Sequence, residues 1–426
     1  MPTAPRAGRS TWQLLTDRRF GSFILGKTLA FVGVWIHNVV AAVLAWQITS
    51  SATWVAVVSV VQFLPQVLLA PVVGPMTDRA NQGRMVAAGR AFCFSGSAGL
   101  GLWVLAAGVD GLGLPVLLVA TCVVGVGFAV SGPAMQAMIP DLVEPDELGR
   151  AVGIDSLPTM LGRAAGPAIG ALLAAFVGSG AALVTAAGGH LAFGLIAMSL
   201  ARGEVPRARV EGGGFLDGLS YIRRNPVVIL LLLGVTAVGM GADPVVTLAP
   251  AMADGHGVGE EFVGYFGSAF GVGAVLGSLV ATTANSGRHA PIAPVLGLLV
   301  LGGGLASIPL MSTAWTVCAC FLVAGVGFTM ALSGCTTRLH QVVPPSMRGR
   351  VMSLWLIAFM GTRPLAAMVN GLLADAFGTG AALVVMGAYV ATTAGLCLPG
   401  VLQRATRPEV DLPLSVSAGG RSRCAG

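Results

Sequence analysis

Twelve apolar runs alternate with short connections along this chain, and arginine gathers on every second connection only. One set holds Arg6, Arg9, Arg18 and Arg19, then Arg79 and Arg84, then Arg150, then Arg202, Arg207, Arg209, Arg223 and Arg224. It continues with Arg288, with Arg348 and Arg350, and with Arg404, Arg407, Arg421 and Arg423. The other six connections, near residues 47–53, 108–114, 177–181, 250–261, 311–315 and 375–380, carry no Arg or Lys. Their charges are acids such as Asp110, Asp254, Glu260, Glu261 and Asp375. Short Arg-rich loops stay in the cytoplasm. The pattern predicts an all-α integral membrane protein with twelve transmembrane helices and both termini cytoplasmic.

Composition agrees. The chain is 55% hydrophobic and 10% charged, whereas a soluble domain carries about 25% charged residues. A bilayer core takes roughly 20 apolar residues per helical span. The expected spans are 20–46, 54–76, 85–108, 115–139, 151–176 and 181–200, then 226–249, 262–284, 291–311, 315–338, 351–375 and 380–402. The net charge of +6 is spread over seven segments, with no basic face to bind nucleic acid. Those arginines suit topology and anionic lipid headgroups. Six of the seven cysteines lie in apolar runs and Cys424 lies in the tail, so neither a disulfide framework nor a metal site is expected. The apolar run after the N-terminal arginines is too long for a signal peptide and reads as a retained first span.

The longest polar stretch, residues 201–225, divides the chain. The expected organisation is a cytoplasmic tail (1–19), a six-helix bundle (20–200), a cytoplasmic linker (201–225), a second six-helix bundle (226–403) and a tail (404–426). A short amphipathic helix is expected around Phe215–Ile222 on the inner surface. The halves repeat at a constant offset. Gly125–Phe128 returns as Gly325–Phe328, Pro145 as Pro345, Gly149–Arg150 as Gly349–Arg350 and Arg163 as Arg363. Six spans is an even number, so the two repeats run parallel through the membrane. Sites in proteins so built lie between the halves, near the midplane.

One string misleads. Residues 21–28, ending in Gly26, Lys27 and Thr28, match the phosphate-binding loop pattern. That loop needs a strand before it and exposed backbone N–H groups. Here the string sits inside an apolar span, so an ATP-driven pump is set aside. Lys27 is expected to snorkel to the inner headgroups or to meet an acid in the central cavity. Gly271 and Gly273, mid-span, read as close helix packing. No catalytic constellation appears, and no cofactor is implied.

The connection between spans two and three reads Gly74-Pro-Met-Thr-Asp78-Arg79-Ala-Asn-Gln-Gly83-Arg84. It resembles the G-x-x-x-D-R…GR signature of the major facilitator superfamily. The resemblance implies a charged latch at an inner gate, with Asp78 facing the N-terminus of span eleven after Arg350, where a carboxylate complements the helix dipole. The matching connection of the second half keeps Gly277 and Gly287–Arg288 but has Ala281 in place of the acid. Span five holds Gly162, Arg163, Gly166, Pro167 and Gly170. It resembles the G-x-x-x-G-P-x-x-G motif of exporters that exchange substrate for protons. Physically this is a small-residue face for close packing with a proline that removes one backbone hydrogen bond. Thr121 stands where the multidrug antiporters place an Arg. Residues 17–20, the TSSATWVAVV string after span one and FLDGLSYIRRNP before span seven extend the resemblance. Over nearly the whole chain it looks like the enterobactin-exporter and macrolide-efflux subgroup.

Charge at the bilayer centre costs about 2.5–3.5 kcal/mol on insertion scales, so each buried charge needs a reason. Arg163 and Arg363 suit either ion pairs between the halves or substrate contacts. Asp155 shares a helix face with Arg163. Asp243, beside Pro244, is the preferred proton-responsive carboxylate, with Asp155 as the alternative. His37 and Asn38 sit near the middle of span one, and Gln62, Gln66, Gln136 and Asn370 are further cavity polar groups.

The resulting expectation is a monomeric secondary transporter, not an enzyme. It exports a small amphipathic compound, such as an antibiotic, another secondary metabolite or a siderophore, by alternating access with proton antiport. Uptake or facilitated diffusion by the same fold is the alternative, and a non-transporting receptor is a more distant one.

Overall fold

The protein is described from a computed structural model covering residues 9–201, 215–284 and 290–406. Within lipid every backbone polar group must be satisfied inside its own segment, so apolar runs of this length fold as helices. Twelve are long and apolar enough to cross a membrane. They are α1 (Phe20–Thr49), α2 (Ala52–Thr77), α3 (Gln82–Ala107), α4 (Leu114–Asp141), α5 (Leu148–Val177) and α6 (Ser179–Leu200). The second six are α7 (Pro226–Thr247), α8 (Glu261–Ala284), α9 (Ala293–Leu310), α10 (Ala314–Val342), α11 (Met347–Phe377) and α12 (Thr379–Cys397). No strand occurs among the described residues. Helix Phe215–Arg224 stands where the amphipathic segment was expected.

Local chemistry sets the ends. Ser51, Asn81 and Thr313 accept hydrogen bonds from N–H groups in the first turns of α2, α3 and α10. Gly178 and Gly378 adopt φ values of 91° and 88°. Each turns the chain between two spans within a single residue, in a conformation that side chains rarely adopt. Their spacing repeats the offset between the halves. One irregularity repeats as well, that of α5 in α11, whereas the break in α7 has no counterpart in the continuous α1. α5 is interrupted at Ser156, between Leu148–Asp155 and Leu157–Val177. α11 widens into a π turn at Ile357–Gly361. α7 breaks after Gly241, and a short helix restarts at Pro244.

In the first half α1 packs against α5 and α6, and α3 against α4 and α6. In the second half α8 packs on α10, and α9 on α10 and α12. Two seams join the halves, α5 with α8 and α2 with α11, and exchanging the repeats converts one seam into the other. The face that carries the N-terminal helix Thr11–Thr16 and helix Phe215–Arg224 is the terminal face, and the opposite one the far face.

Candidate functional site

The first seam is built from small residues. On α5, Gly162, Gly166 and Gly170 lie against Phe31, Trp35 and Ile36 of α1, so close that a methyl group would approach within 2.9, 2.5 and 2.9 Å. The motif face therefore packs inside the first half. The neighbouring face of α5 meets α8. A methyl at Gly271 would fall 2.3 Å from the Arg163 carbonyl oxygen, and one at Gly264 would fall 2.5 Å from that of Pro167. The Ala168 N–H donates to Ser268 Oγ across this seam at 2.9 Å.

The second seam closes the far face. The Asp375 carboxylate, near the end of α11, accepts from Ser51 Oγ (2.5 Å) and from the N–H groups of Ala52 (2.8 Å) and Thr53 (3.0 Å). It caps the first turn of α2 from the other half of the chain. Gly371 fits against Ala52, Thr53 and Ala56. Beside this cap, Gln47 donates to Glu260 at 2.5 Å, and burial raises the Glu260 carboxyl above its ordinary value.

A cavity of about 540 Å³ lies in the half of the spans nearer the terminal face, with walls that include Met160 of α5, Ser278 of α8, Thr329 and His340 of α10 and Trp355 of α11. An aromatic ladder leads from it toward the midplane. Trp355 stacks on Phe359 with centroids 5.4 Å apart, and Phe359 lies 6.1 Å from Phe328. The Arg163 guanidinium sits 4.8 Å from the Phe328 ring and 5.4 Å from the Trp35 ring. Arg363, one turn beyond Phe359, lies 4.6 Å from the Phe63 ring of α2. Each arginine thus reaches an aromatic ring of the opposite half. The ion pairs considered for them are absent among the described residues, where no carboxylate oxygen lies within 4.0 Å of either guanidinium.

Asp243, at the break in α7, is buried and accepts from Asn370 Nδ2 of α11 at 2.8 Å. Lys27 does not snorkel: it is 1% exposed and its Nζ lies 2.5 Å from Asp155 Oδ1. The physical reason is that Asp155, at the interruption of α5, supplies a nearer partner than the headgroups. His37 Nδ1 pairs with Ser97 Oγ at 3.1 Å, and Asn38 accepts from Gln62 at 2.5 Å. Lys27, Asp155, His37 and Asn38 all belong to the first half. In the connection after α2, Asn81 caps α3 by accepting from the Arg84 N–H, and Gly83 fits against Ala197 and Ala201. A methyl group on Gly74 would meet nothing within 4 Å, and Arg79 is exposed. The side chain of Asp78 lies outside the described residues, as do those of Pro345 and Ser346 at the start of the helix that enters α11.

Three features have no counterpart in the sequence expectations. Arg90 of α3 is fully buried, with its guanidinium 5.0 Å from the Phe128 ring and 5.5 Å from that of Phe193. An arginine interrupting the apolar run of α3 was the available signal. His190, also fully buried, has no hydrogen-bond partner on either ring nitrogen among the described residues. At the terminal face Arg9 pairs with Glu147 (2.7 Å) and Asp17 (3.0 Å), tying the N-terminal helix to the loop before α5. Hydrogen bonds from Arg9 hold the Glu147 carboxylate down to about 2 and in turn raise the Arg9 value. No cluster suited to a metal ion occurs among the described residues.

Comparison with known proteins places this arrangement. Residues 9–410 match the family model described as transmembrane secretion effector. The enterobactin exporter EntS of Shigella boydii serotype 4 (strain Sb227) is 28% identical over 91% of this chain and 92% of its own. The EntS of Escherichia coli O81 (strain ED1a) matches to the same extent. Among solved structures, a bacterial homologue of the human lysosomal transporter Spinster, inward-facing and unoccupied, superposes with a TM-score of 0.72 at 16% identity. It covers 92% of this chain and 99% of that one. A bacterial homologue of the iron transporter ferroportin in its inward-facing state gives 0.70 at 16% identity, covering 94% and 100%. The alternating arginines and the paired halves thus belong to a multi-pass membrane transporter, and the chain is a member of the transmembrane secretion effector family of major facilitator transporters.

Proposed function

We propose that this protein exports a small amphipathic compound across the cell membrane by alternating access, in exchange for protons, as a monomer with both termini in the cytoplasm. The observation that carries this reading is the asymmetry of the seams. A cavity walled by α8, α10 and α11 of the second half, with Met160 of the first half at its edge, lies toward the terminal face, while Asp375 and Gln47 tie the halves together at the far face. Two bundles, residues 20–200 and 226–403, rock about that cavity, joined by the linker 201–225. The likeness to an enterobactin exporter supports outward movement and puts siderophores beside antibiotics and other secondary metabolites as candidate cargo.

Asp243 is our preferred proton site. It is buried in the second half and its hydrogen bond to Asn370 joins α7 to α11, so a proton on it alters how those helices meet. Asp155 is the second choice. Gly74, Asp78, Arg79, Gly83 and Arg84 form the latch that engages when the terminal face closes. A membrane potential supplies about 2.3 kcal/mol per charge per 100 mV, enough for a gradient near fiftyfold.

Everted membrane vesicles loaded from a panel of antibiotics and siderophores test the proposal. Export requires accumulation in the lumen that uncoupler abolishes. Accumulation in right-side-out vesicles instead indicates uptake. Asp78→Asn should impair transport while the protein still reaches the membrane, and wild-type flux in that variant removes the latch.

A further inference from the structure

The charges facing the seam point to the chemistry of the cargo. Arg163 and Arg363 come from opposite halves, and each guanidinium lies over aromatic rings with no carboxylate oxygen within 4.0 Å among the described residues. Arg363 is 5% exposed, and its Nε has no hydrogen-bond partner among the described residues. A buried donor without an acceptor is costly, and native interiors seldom leave one so. The acids nearby are already engaged. Asp243 is 2% exposed and takes the Asn370 amide, and Asp155 takes Lys27. Even counting Asp243 against Arg363, one positive charge at the seam is left without an opposite among the described residues.

The cavity adds no acid. Its walls carry neutral hydroxyls, at Ser278 and Thr329 for example, together with the Trp355 ring, and no carboxylate. Hydroxyls donate or accept as the ligand requires, so they do not select its charge. The arginines do: an anion gains charge-assisted hydrogen bonds from them, whereas a cation meets two like charges. The ladder Trp355–Phe359–Phe328 runs from the cavity wall to the Arg163 guanidinium; Phe359 and Phe328 are buried, so Trp355 alone presents its ring to the cavity.

We infer that the transported compound carries an anionic group on or beside an aromatic ring, and that this group sits between Arg163 and Arg363 with the ring on the side of the cavity that Trp355 lines. This rests on the transporter reading above but on neither its direction nor its coupling ion.

The test uses three probes that share one ring: 2-naphthoate, 2-naphthamide and 2-naphthylmethylammonium. Each is titrated calorimetrically into the full-length protein in lipid nanodiscs, near neutral pH and about 0.1 M salt. Naphthoate should bind at least about tenfold tighter than the ammonium probe, with the amide between them. Arg163→Gln and Arg363→Gln should each weaken naphthoate about fivefold or more and leave the amide within about twofold. Arg163→Lys, which keeps the charge, should retain the preference. If Arg363→Gln fails to fold, Arg163→Gln alone gives the reading, because that side chain is only partly buried. Equal or tighter binding of the ammonium probe overturns the inference. So does an anion preference that survives loss of the arginines, or a folded wild-type protein that ignores naphthoate. No gradient is involved, so loss of export with the charge preference intact counts against the proposed function alone. Export with a cation preference counts against this inference alone.

Discussion

The Asp375 carboxylate near the end of α11 accepts a hydrogen bond from the Ala52 N–H at the start of α2, at 2.8 Å, although the two residues belong to opposite halves of the chain. The same carboxylate takes the Thr53 N–H and the Ser51 hydroxyl. Loss of a helix cap costs about 0.5–2 kcal/mol. That cost falls only on the state in which the far face is closed. In Asp375→Ala a cysteine placed at Gln47 should therefore react with a membrane-impermeant maleimide about fivefold faster than in the parent, a shift of roughly 1 kcal/mol. An unchanged rate would mean that this contact does not govern closure.

Gly271 tests the other seam. A methyl there would fall 2.3 Å from the Arg163 carbonyl oxygen, which is fixed backbone. Overpacking of this kind costs about 1–3 kcal/mol. Gly271→Ala should reach the membrane, lose most transport and react faster at the same far-face cysteine. Full transport would show that the α5–α8 seam gives way at little cost.

The Lys27–Asp155 pair is buried inside the first half. Removing one member leaves the other charged and unpartnered, at a cost of about 3–5 kcal/mol, whereas replacing both with apolar residues is often neutral. Asp155→Asn should lower the thermal midpoint in detergent, and Lys27→Met with Asp155→Leu should recover most of the loss. Transport by that double variant separates the possible roles. Recovered flux makes the pair structural, and lost flux in a stable protein assigns it to coupling.

The Arg9–Glu147 contact carries a pH dependence. The Glu147 value is depressed from 4.5 to about 2, first by the Arg9 side-chain hydrogen bond. A depressed carboxylate contributes stability that is present above its ordinary value and is lost as pH falls through the lowered one. Amide protection over Thr11–Thr16, taken relative to the intrinsic exchange rate at each pH, should therefore hold from neutral pH to about 4.5 and fall toward 2. Glu147→Gln should exchange fast throughout, and protection equal to wild type would show that the helix is held by something else.

The spans and their repeat were legible because apolar length and an offset in the chain are local properties of a sequence. Gly162, Gly166 and Gly170 were legible as a packing face for the same reason. Their partner was not, since nothing in the spacing says whether α1 or the other half lies opposite. Arg163 and Arg363 stood out by depth, yet their neighbours proved to be Phe328 and Phe63, which only the fold brings near. Asp375 was legible only as one acid among several in the Arg-free connections, because the helix start it caps is distant in sequence. Arg90 was passed over because arginines sort by connection, and it sits inside a span.

The groups that Asp375 grips at positions 52 and 53 are main-chain amides. Every residue except proline presents the same amide there, so drift at those two positions leaves the grip intact. Vulnerability is concentrated on the acid side, and natural variants of this transporter that exchange Asp375 should also differ in how firmly the doorway at the far face shuts.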